Sequence, residues 1–141
     1  MKPWYENGLN FKCFKCGMCC SISGYVWLSK SDIIRISDYI KITKKDFLKK
    51  YTRYFNGKIS LIEKVTGECI FLKDKKCKIY PVRPIQCKTF PFWPNLMREK
   101  EKFFLQKNIC RGIDDPSFHF SKEEIEKKLL EYIENFSKKK S

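Results

Sequence analysis

Residues 13–20 read Cys-Phe-Lys-Cys-Gly-Met-Cys-Cys, so four thiols fall within eight positions of the chain. A hydrophobic core does not need so much sulfur in one short loop. Thiols at successive three-residue steps can fold inward around one centre, as Cys-x2-Cys-x2-Cys loops do around iron–sulfur clusters, and zinc sites use Cys-x2-Cys pairs in the same way. The stretch therefore predicts a metal site with Cys13, Cys16, Cys19 and Cys20 as candidate ligands.

Four more cysteines stand at or near predicted turns and element ends. Backbone N–H groups left unpaired at such turns can donate hydrogen bonds to thiolate sulfur, which suits a metal ligand. A single cysteine of this kind is better interpreted as a small buried hydrophobe. Eight in 141 residues, in this pattern, favour metal binding instead. The additional candidate ligands are Cys69, Cys77, Cys87 and Cys110.

The length and the N-terminus decide how the thiols are interpreted. A chain of 141 residues falls in the commonest range for one domain, and we expect a single cysteine-cluster domain over residues 1–141. No apolar run approaches the roughly 20 residues that span a bilayer, and the first ten residues lack the apolar segment of a secretory signal. The sequence therefore predicts a cytoplasmic protein without membrane contact, where thiols stay reduced and disulfides are disfavoured.

The formal net charge of +14 raises the question of nucleic-acid binding, because clustered cations release counterions from phosphate. The composition offers a simpler explanation. There are 25 lysines against five arginines, 15 isoleucines and no alanine, a skew typical of AT-rich coding bias. Arginine, which reads phosphate and guanine in bidentate fashion, is scarce. We interpret the charge mainly as a solvated surface, with weak polyanion binding as the lesser alternative.

Capping and periodicity signals predict an α+β fold, a small irregular metal-bound domain with short strands. Ser29 and Thr43 each begin a capping pattern, which predicts two short helices. Ser121 and Glu124 predict a capping box at the start of a longer C-terminal helix over about residues 121–137. Four prolines in residues 81–94 exclude a long regular element there. Short strands are predicted over residues 25–28, 60–65, 68–72 and 102–106. The apolar stripe of the last helix, which we expect to face the core, comprises Ile125, Leu129, Tyr132, Ile133 and Phe136.

The cysteine motifs, taken in order, resemble those of a known family. The run from Phe11 to Cys20 resembles the signature of the YkgJ family of cysteine-cluster proteins, whose domain is described as zinc- or iron-chelating. Cys110-Arg-Gly stands where that family often has Cys-Pro-Gly, so Arg111 departs from the pattern. The resemblance covers roughly residues 11–112 and implies a metal-chelating domain. The other matching motifs are Cys69-Ile-Phe-Leu, Cys77-Lys-Ile-Tyr and Arg83-Pro-Ile-Gln-Cys-Lys-Thr-Phe-Pro.

An all-thiolate ligand set suits both tetrahedral zinc and iron–sulfur centres. The triple spacing favours an iron–sulfur cluster, although the Cys-Pro continuation of ferredoxin loops is missing. Eight thiols can supply two zinc sites, one cluster with spare thiols or two clusters, and adjacent Cys19 and Cys20 cannot easily reach one ion together. Arg83 and Tyr80 can support the centre by bracing carbonyls or a sulfur atom, with local packing as the equal alternative. His119 is interpreted as an ordinary residue before the last helix.

Two classes of function follow. The first is a non-catalytic metal-binding protein with a structural, redox or adaptor role and an unknown protein partner. It is supported by the absence of a Gly-rich phosphate loop, a His-containing metal triad and a Gly-x-Ser-x-Gly motif. The second is a metalloenzyme or enzyme subunit for protein modification, methylation-like or redox, which is implied by a similar motif in a flagellin lysine methylase. A basic nucleic-acid-binding protein with a structural metal is the weakest alternative, and no catalytic residue is assigned.

Overall fold

The computed structural model describes residues 2–15, 17 and 25–137 and confirms the α+β class. Short antiparallel strand pairs alternate with helices, and the C-terminal helix is the longest element described. Within the described ranges, no helix combines the length and apolarity needed to cross a membrane. The helices are α1 (Lys30–Tyr39), α2 (Lys44–Tyr51), α3 (Ile85–Thr89), α4 (Pro94–Met97), α5 (Lys100–Leu105) and α6 (Lys122–Ser137). The strands are β1 (Leu9–Asn10), β2 (Thr52–Phe55), β3 (Lys58–Leu61), β4 (Leu72–Lys73), β5 (Lys76–Cys77) and β6 (His119–Phe120).

The chain folds as two compact units. Unit 1 comprises Met1–Phe14 and Thr89–Ser141, and unit 2 comprises Lys15–Lys88. Each unit has its own apolar core, so each can hold its functional side chains on a packed scaffold. The core of unit 1 consists of Leu9, Phe11, Phe92, Met97, Phe103, Ile113 and Ile125. The core of unit 2 consists of Leu28, Ile33, Ile36, Phe47, Leu61, Phe71 and Ile79.

In unit 1, β1 and β6 form an antiparallel pair that joins the first residues to the segment before α6. Ser121 and Glu124 form the predicted capping box: the Ser121 Oγ accepts from the Glu124 backbone N–H at 3.1 Å, and the Glu124 carboxylate accepts from the Ser121 N–H at 2.8 Å. Ile125 is fully buried against the core. Ile133 is 41% exposed, so its assignment to the buried stripe is wrong; the inward face continues instead through half-buried residues such as Tyr132.

In unit 2, α1 and α2 begin where the capping patterns predict. Ser29 caps α1 with a complete capping box, and the Thr43 side chain caps α2 by accepting from the Asp46 backbone N–H at 3.1 Å. Ile36 and Phe47, from the two helices, are both fully buried. Hydrogen bonds at the N-terminus of each helix thus determine where the helix begins, and burial of its apolar face stabilises the helix.

The β2–β3 hairpin was not among the predicted elements. Asn56 and Gly57 form its two-residue turn with φ angles of 50° and 77°, the left-handed conformations of a type I′ turn. The two strands of this hairpin pair as far as Leu61, where β3 ends. The strand predicted over residues 60–65 is therefore wrong in its bounds. The Asn-Gly pair, between Thr-Arg-Tyr-Phe and Lys-Ile-Ser-Leu, was the signal that could have identified it.

Two other predicted strands differ from the structure. Residues 102–106 lie mainly in α5, because Phe103 is buried on one helical face and Lys102 pairs with Glu99 one turn earlier at 3.6 Å. Residues 68–72 contribute a single bridge from Cys69 and the start of β4 rather than a continuous strand. The segment over residues 25–28 pairs with β3 through a bridge and backbone hydrogen bonds, without forming a regular strand of its own.

Candidate metal centre

Five of the eight predicted ligands lie in the described part of the chain, whereas Cys16, Cys19 and Cys20 lie outside it. Cys13 is exposed, and the other four are partly buried rather than enclosed in either core. A cysteine that serves only as a small hydrophobe is usually fully buried, so partial exposure favours a ligand role. The partly buried cysteines are Cys69, Cys77, Cys87 and Cys110.

In unit 1, the segments that carry Cys13 and Cys110 are bonded to each other. The backbone N–H of Lys12 donates to the carbonyl oxygen of Gly112 at 3.1 Å, next to Cys13 and two residues after Cys110. Gly112 is required at this position, because a Cβ there would overlap the carbonyl oxygen of Lys12. The predicted Cys-Arg-Gly turn is therefore held against the start of the cysteine loop. The Arg111 guanidinium lies 4.9 Å from the centre of the Phe14 ring.

In unit 2, the β4–β5 hairpin lies against the cysteine loop. Cys77 pairs with Leu72 across the hairpin, and Asp74 and Lys75 form its turn with φ angles of 51° and 64°. Gly17, with φ of 77°, lies so close to this turn that a Cβ would be 2.5 Å from the carbonyl oxygen of Lys75. Gly17 thus closely approaches the hairpin that carries Cys77, and only glycine suits both the conformation and the space at this position.

Cys69 is connected to the same hairpin. Its carbonyl oxygen accepts a hydrogen bond from the backbone N–H of Leu72 at 3.0 Å, and Leu72 is the register partner of Cys77. The ammonium of Lys64 donates to the carbonyl oxygen of Leu72. Leu72 therefore links the backbone segments of two candidate ligands, with a cation beside them.

Cys87 lies on α3, and the preceding residue of this helix, Gln86, is hydrogen-bonded to Tyr25 and Trp27. The Gln86 side-chain carbonyl accepts from the Trp27 backbone N–H at 3.0 Å, and its amide donates to the carbonyl oxygen of Tyr25 at 2.9 Å. The first turn of α3 is itself fixed by Asp32, whose carboxylate accepts from the Ile85 backbone N–H at 3.0 Å. One short helix thus carries a candidate thiol and binds the backbone of Tyr25 and Trp27.

Arg83 and Tyr80, the residues predicted to support the centre, contact each other. The guanidinium carbon of Arg83 lies 4.0 Å from the Tyr80 ring centre, and its Nη1 donates to the Tyr80 carbonyl oxygen at 3.0 Å. The Lys15 ammonium, beside Cys16 in sequence, lies 4.7 Å from the same ring. The bond from Arg83 to the Tyr80 carbonyl joins residues three positions apart and fits local packing as well as support of a metal centre, and the arrangement places two cations at one ring. Whether they support a bound metal stays a prediction.

Gln86 and Asp32 are the positioning residues that sequence reasoning missed. The capping pattern predicts the Asp32 bond to Ser29, but the bond to Ile85 spans 53 positions and has no local signal. The motif Ile-Gln-Cys identifies the cysteine without revealing what the glutamine contacts. His119 hydrogen-bonds through Nδ1 to the Asn10 side-chain oxygen at 2.7 Å, which agrees with its interpretation as an ordinary residue.

Among the described side chains, no three His, Cys, Asp or Glu residues lie close enough together to hold a metal ion. A site with three or more such ligands in this conformation therefore draws on at least one residue outside the described ranges, and Cys16, Cys19 and Cys20 are the thiols that qualify. Cys69, Cys77 and Cys87 belong to the same unit as those three positions, whereas Cys13 and Cys110 belong to unit 1.

The charge is unevenly shared between the two units. Unit 2 carries 17 lysines and arginines against six aspartates and glutamates, a net charge of +11, whereas unit 1 carries 13 against ten, a net charge of +3. Unit 2 also contains six of the eight cysteines. An excess of cations favours deprotonated thiols, which are the form that binds metals. The electrostatic setting of unit 2 therefore suits a cluster of thiolates.

Comparison with known proteins also points to metal binding. The model of the CxxCxxCC family, described as a "putative zinc- or iron-chelating domain", matches residues 12–111, a span that contains all eight cysteines. The cysteine motifs in the sequence predict a zinc- or iron-chelating family of this kind. The match covers most of the chain and confirms the resemblance.

Two relatives are uncharacterized proteins of Methanocaldococcus jannaschii. One is 40% identical in an alignment of length 116 that covers 77% of this chain and 61% of that protein. The other is 27% identical in an alignment of length 116 that covers 76% of this chain and 38% of that protein. The chain thus spans less than two thirds of the length of these relatives. No solved structure matches the chain.

Proposed function

The chain belongs to the CxxCxxCC family of zinc- or iron-chelating domains, and from that premise we propose that its cysteines hold an iron–sulfur cluster or zinc through their thiolates. The proposed role is non-catalytic, as a structural, redox or adaptor protein. The proposed ligands are drawn from Cys13, Cys16, Cys19, Cys20, Cys69, Cys77, Cys87 and Cys110.

The observation that carries the proposal is that described residues within and just after the cysteine motif contact elements that bear other cysteines. Gly17 lies against the β4–β5 hairpin, which ends in Cys77. Tyr25 and Trp27, just beyond the loop, are bonded to Gln86 beside Cys87. Fixed backbone at Gly17, Tyr25 and Trp27 lowers the conformational entropy that these positions lose when neighbouring thiols bind a metal.

The donor set favours soft, thiophilic metals. Thiolate sulfur selects zinc and iron–sulfur clusters over calcium or magnesium, which prefer oxygen ligands. The three-residue spacing at Cys13, Cys16 and Cys19 supports an iron–sulfur cluster as the first candidate, with zinc as the second. A bound cluster would supply electron transfer or structural stabilisation, and bound zinc would supply stabilisation alone. The residues of the chain contribute thiolates, cations and backbone rigidity.

The test is metal analysis with visible absorption on protein purified without oxygen. A brown protein with a broad band near about 400 nm, the usual iron–sulfur absorption, would support the cluster. A colourless protein that contains only zinc would leave a structural zinc domain and exclude the redox role and a cluster-dependent enzyme. A protein that contains neither metal after anoxic purification and reconstitution would contradict the proposal.

Single cysteine substitutions identify the ligands. Cys16→Ser, Cys77→Ser and Cys87→Ser are expected to lower the bound metal strongly, and Cys13→Ser and Cys110→Ser show whether unit 1 supplies ligands. Ser37→Ala is the matched control, because it removes a buried hydroxyl that bonds only within α1 among the contacts described. Unchanged metal content in both Cys16→Ser and Cys77→Ser would show that the thiolate site is wrongly placed.

A further inference from the structure

Three aromatic rings of unit 2 are stacked at a partly exposed surface. Tyr25 and Trp27 have ring centres 4.6 Å apart with planes 5° from parallel, and Tyr25 and Phe55 have ring centres 5.2 Å apart with planes at 21°. Tyr25 is 40% exposed and Phe55 is 46% exposed. We call these three residues the aromatic face. Contiguous exposed rings of this kind commonly mark a binding surface.

Two cations flank the aromatic face. The guanidinium carbon of Arg53 lies 4.6 Å from the Tyr25 ring centre, and the Lys58 ammonium lies 5.1 Å from the Trp27 ring centre. Arg53 also pairs with Glu63 at 2.6 Å, which offsets part of its charge. Lys58 therefore contributes the larger uncompensated positive charge among the contacts described here. Planar rings can stack on the base of a nucleotide, and the neighbouring cations can contact its phosphate.

The β2–β3 hairpin holds this surface in register. Phe55 pairs with Lys58, and Arg53 pairs with Ser60, so these four side chains lie on one face of the hairpin. Trp27 forms a bridge to Ser60, which adds its segment to the same face. Successive residues of a strand point to opposite faces, so Tyr54 and the aromatic face lie on opposite sides of β2, although Tyr54 is 74% exposed.

The surrounding charge favours an anionic partner. The helix α2, which leads directly into β2, carries four exposed lysines and a single acidic residue. Unit 2 as a whole has a net charge of +11, as described above. Lysines of this kind contact phosphates and position a polyanion without reading its sequence. The four lysines are Lys44, Lys45, Lys49 and Lys50.

We propose that the aromatic face binds single-stranded nucleic acid. A base stacks on the exposed side of Phe55, at the end of the stack that Tyr25 and Trp27 support, while Lys58, Arg53 and the lysines of α2 contact phosphates. Single strands fit better than duplexes, because only unpaired bases present their flat faces to side chains. An anionic membrane is disfavoured, since interfacial binding uses an apolar face that inserts into the bilayer, whereas these rings stack on one another. The proposal does not depend on the identity of the metal.

The test is fluorescence anisotropy of labelled 12-nucleotide dT and rU strands with the full chain in its metal-containing form. Phe55→Ala is expected to weaken binding by about 5- to 150-fold, the range for one stacked base. Tyr54→Ala is the matched control, because it removes the adjacent, more exposed ring on the opposite face of β2. It is expected to leave binding unchanged. The dT and rU arms show whether the partner is DNA or RNA.

The charge contribution is tested separately. Lys58→Gln is expected to lower the slope of log affinity against log salt by about 0.7, the value for one phosphate contact on a single strand. Lys127→Gln, an exposed lysine of α6 in unit 1, is the matched control and is expected to leave the slope unchanged. Metal content and circular dichroism of each variant confirm that the fold is retained.

Several outcomes would overturn the proposal. One is no binding of either strand at about 50 mM salt, where electrostatic binding is strong. Another is an equal loss of affinity in Phe55→Ala and Tyr54→Ala, which would indicate nonspecific attraction. Tighter binding to heparin, to a duplex of the same length or to phosphatidylserine vesicles than to the single strands would assign the surface to a different polyanion or to membranes.

Discussion

The carboxylate of Asp32 on α1 accepts a hydrogen bond from the backbone N–H of Ile85, the first residue of α3, at 3.0 Å. The same carboxylate accepts from the Arg35 guanidinium at 2.8 Å and from the Ser29 backbone N–H at 2.9 Å. Asp32 is completely buried. One carboxylate therefore caps α1, completes an ion pair and fixes the helix that carries Cys87.

Asp32→Ala is expected to destabilise the protein by about 2–4 kcal/mol. The substitution leaves two buried N–H groups without their acceptor and the Arg35 guanidinium without its carboxylate, although Arg35 keeps its hydrogen bond to the Arg83 carbonyl oxygen. This loss of stability is toward the lower end of the range for breaking a buried ion pair. The Arg35 side chain is 36% exposed, so water can hydrate its guanidinium once the carboxylate is removed. Urea unfolding monitors the effect. Asp38→Ala, on the exposed side of the same helix, is the matched control, and an equally large loss there would contradict the role of Asp32.

Gln86→Leu is expected to weaken metal retention by about 10- to 100-fold, the usual range for groups that position metal ligands. Leucine preserves the volume but cannot bond to Tyr25 or Trp27. Metal retained against a chelator, at a series of chelator concentrations, gives the change in affinity. Gln86→Glu keeps the acceptor for the Trp27 N–H and is expected to recover part of the loss.

A folded Gln86→Leu protein that retains metal like the parent would show that this anchor does not position the ligands. Asn135→Ala is the matched control, because it removes an amide of unit 1 that donates to the Glu131 carbonyl oxygen within α6. It is expected to leave metal retention unchanged.

Gly112→Ala is expected to cost about 3 kcal/mol or more, because the new Cβ meets the Lys12 backbone rather than a movable side chain. Gly57→Ala is the matched control. Its Cβ would meet no atom within 4 Å, so only the left-handed φ of 77° opposes it, at about 1–2 kcal/mol. Thermal unfolding compares the two variants. Similar melting temperatures would argue against the close approach at Gly112.

The capping box of α6 predicts a pH dependence. Hydrogen bonds from the Ser121 backbone and side chain hold the pKa of the Glu124 carboxyl below its ordinary value of 4.5. A lowered folded-state pKa means that the ionised group stabilises the fold above the unfolded-state pKa. This contribution is lost as the pH falls through the folded-state value.

Glu124→Gln is therefore expected to be less stable than the parent at pH 7, with the difference narrowing below about pH 4.5 and vanishing at lower pH. Chemical unfolding at a series of pH values between about 3 and 7 gives the curve. A difference that stays constant across this range would show that the charge of Glu124 does not contribute.

Short-range signals predicted the parts of the fold that they control. The caps at Ser29, Thr43 and Ser121 are correct because a side chain and a backbone N–H three residues later decide each helix start locally. The cysteine motifs predicted the family for a similar reason, since ligand spacing along a loop is itself a local property. The turn before Cys77 was likewise predicted from its polar residues alone.

Long-range contacts could not be predicted from such signals. The bonds from Gln86 to residues 59 and 61 positions away depend on how α3 packs, and nothing beside Gln86 in sequence indicates it. The strand predicted over residues 102–106 failed because burial of Phe103 on a helical face outweighed local β propensity. Ile133 was assigned to the core because the apolar stripe is wider than the face that packing covers.

The arrangement of Gln86 and Cys87 makes the Trp27 amide proton a reporter of the metal centre. That proton is donated to Gln86, and the thiol of the next residue is a proposed ligand. If α3 loosens when the metal is removed, the Cys87 thiol moves and the Trp27 amide proton becomes open to exchange with solvent at the same time. Hydrogen exchange at one backbone position can thus follow ligand loss without a chromophore, even if the bound metal is colourless zinc.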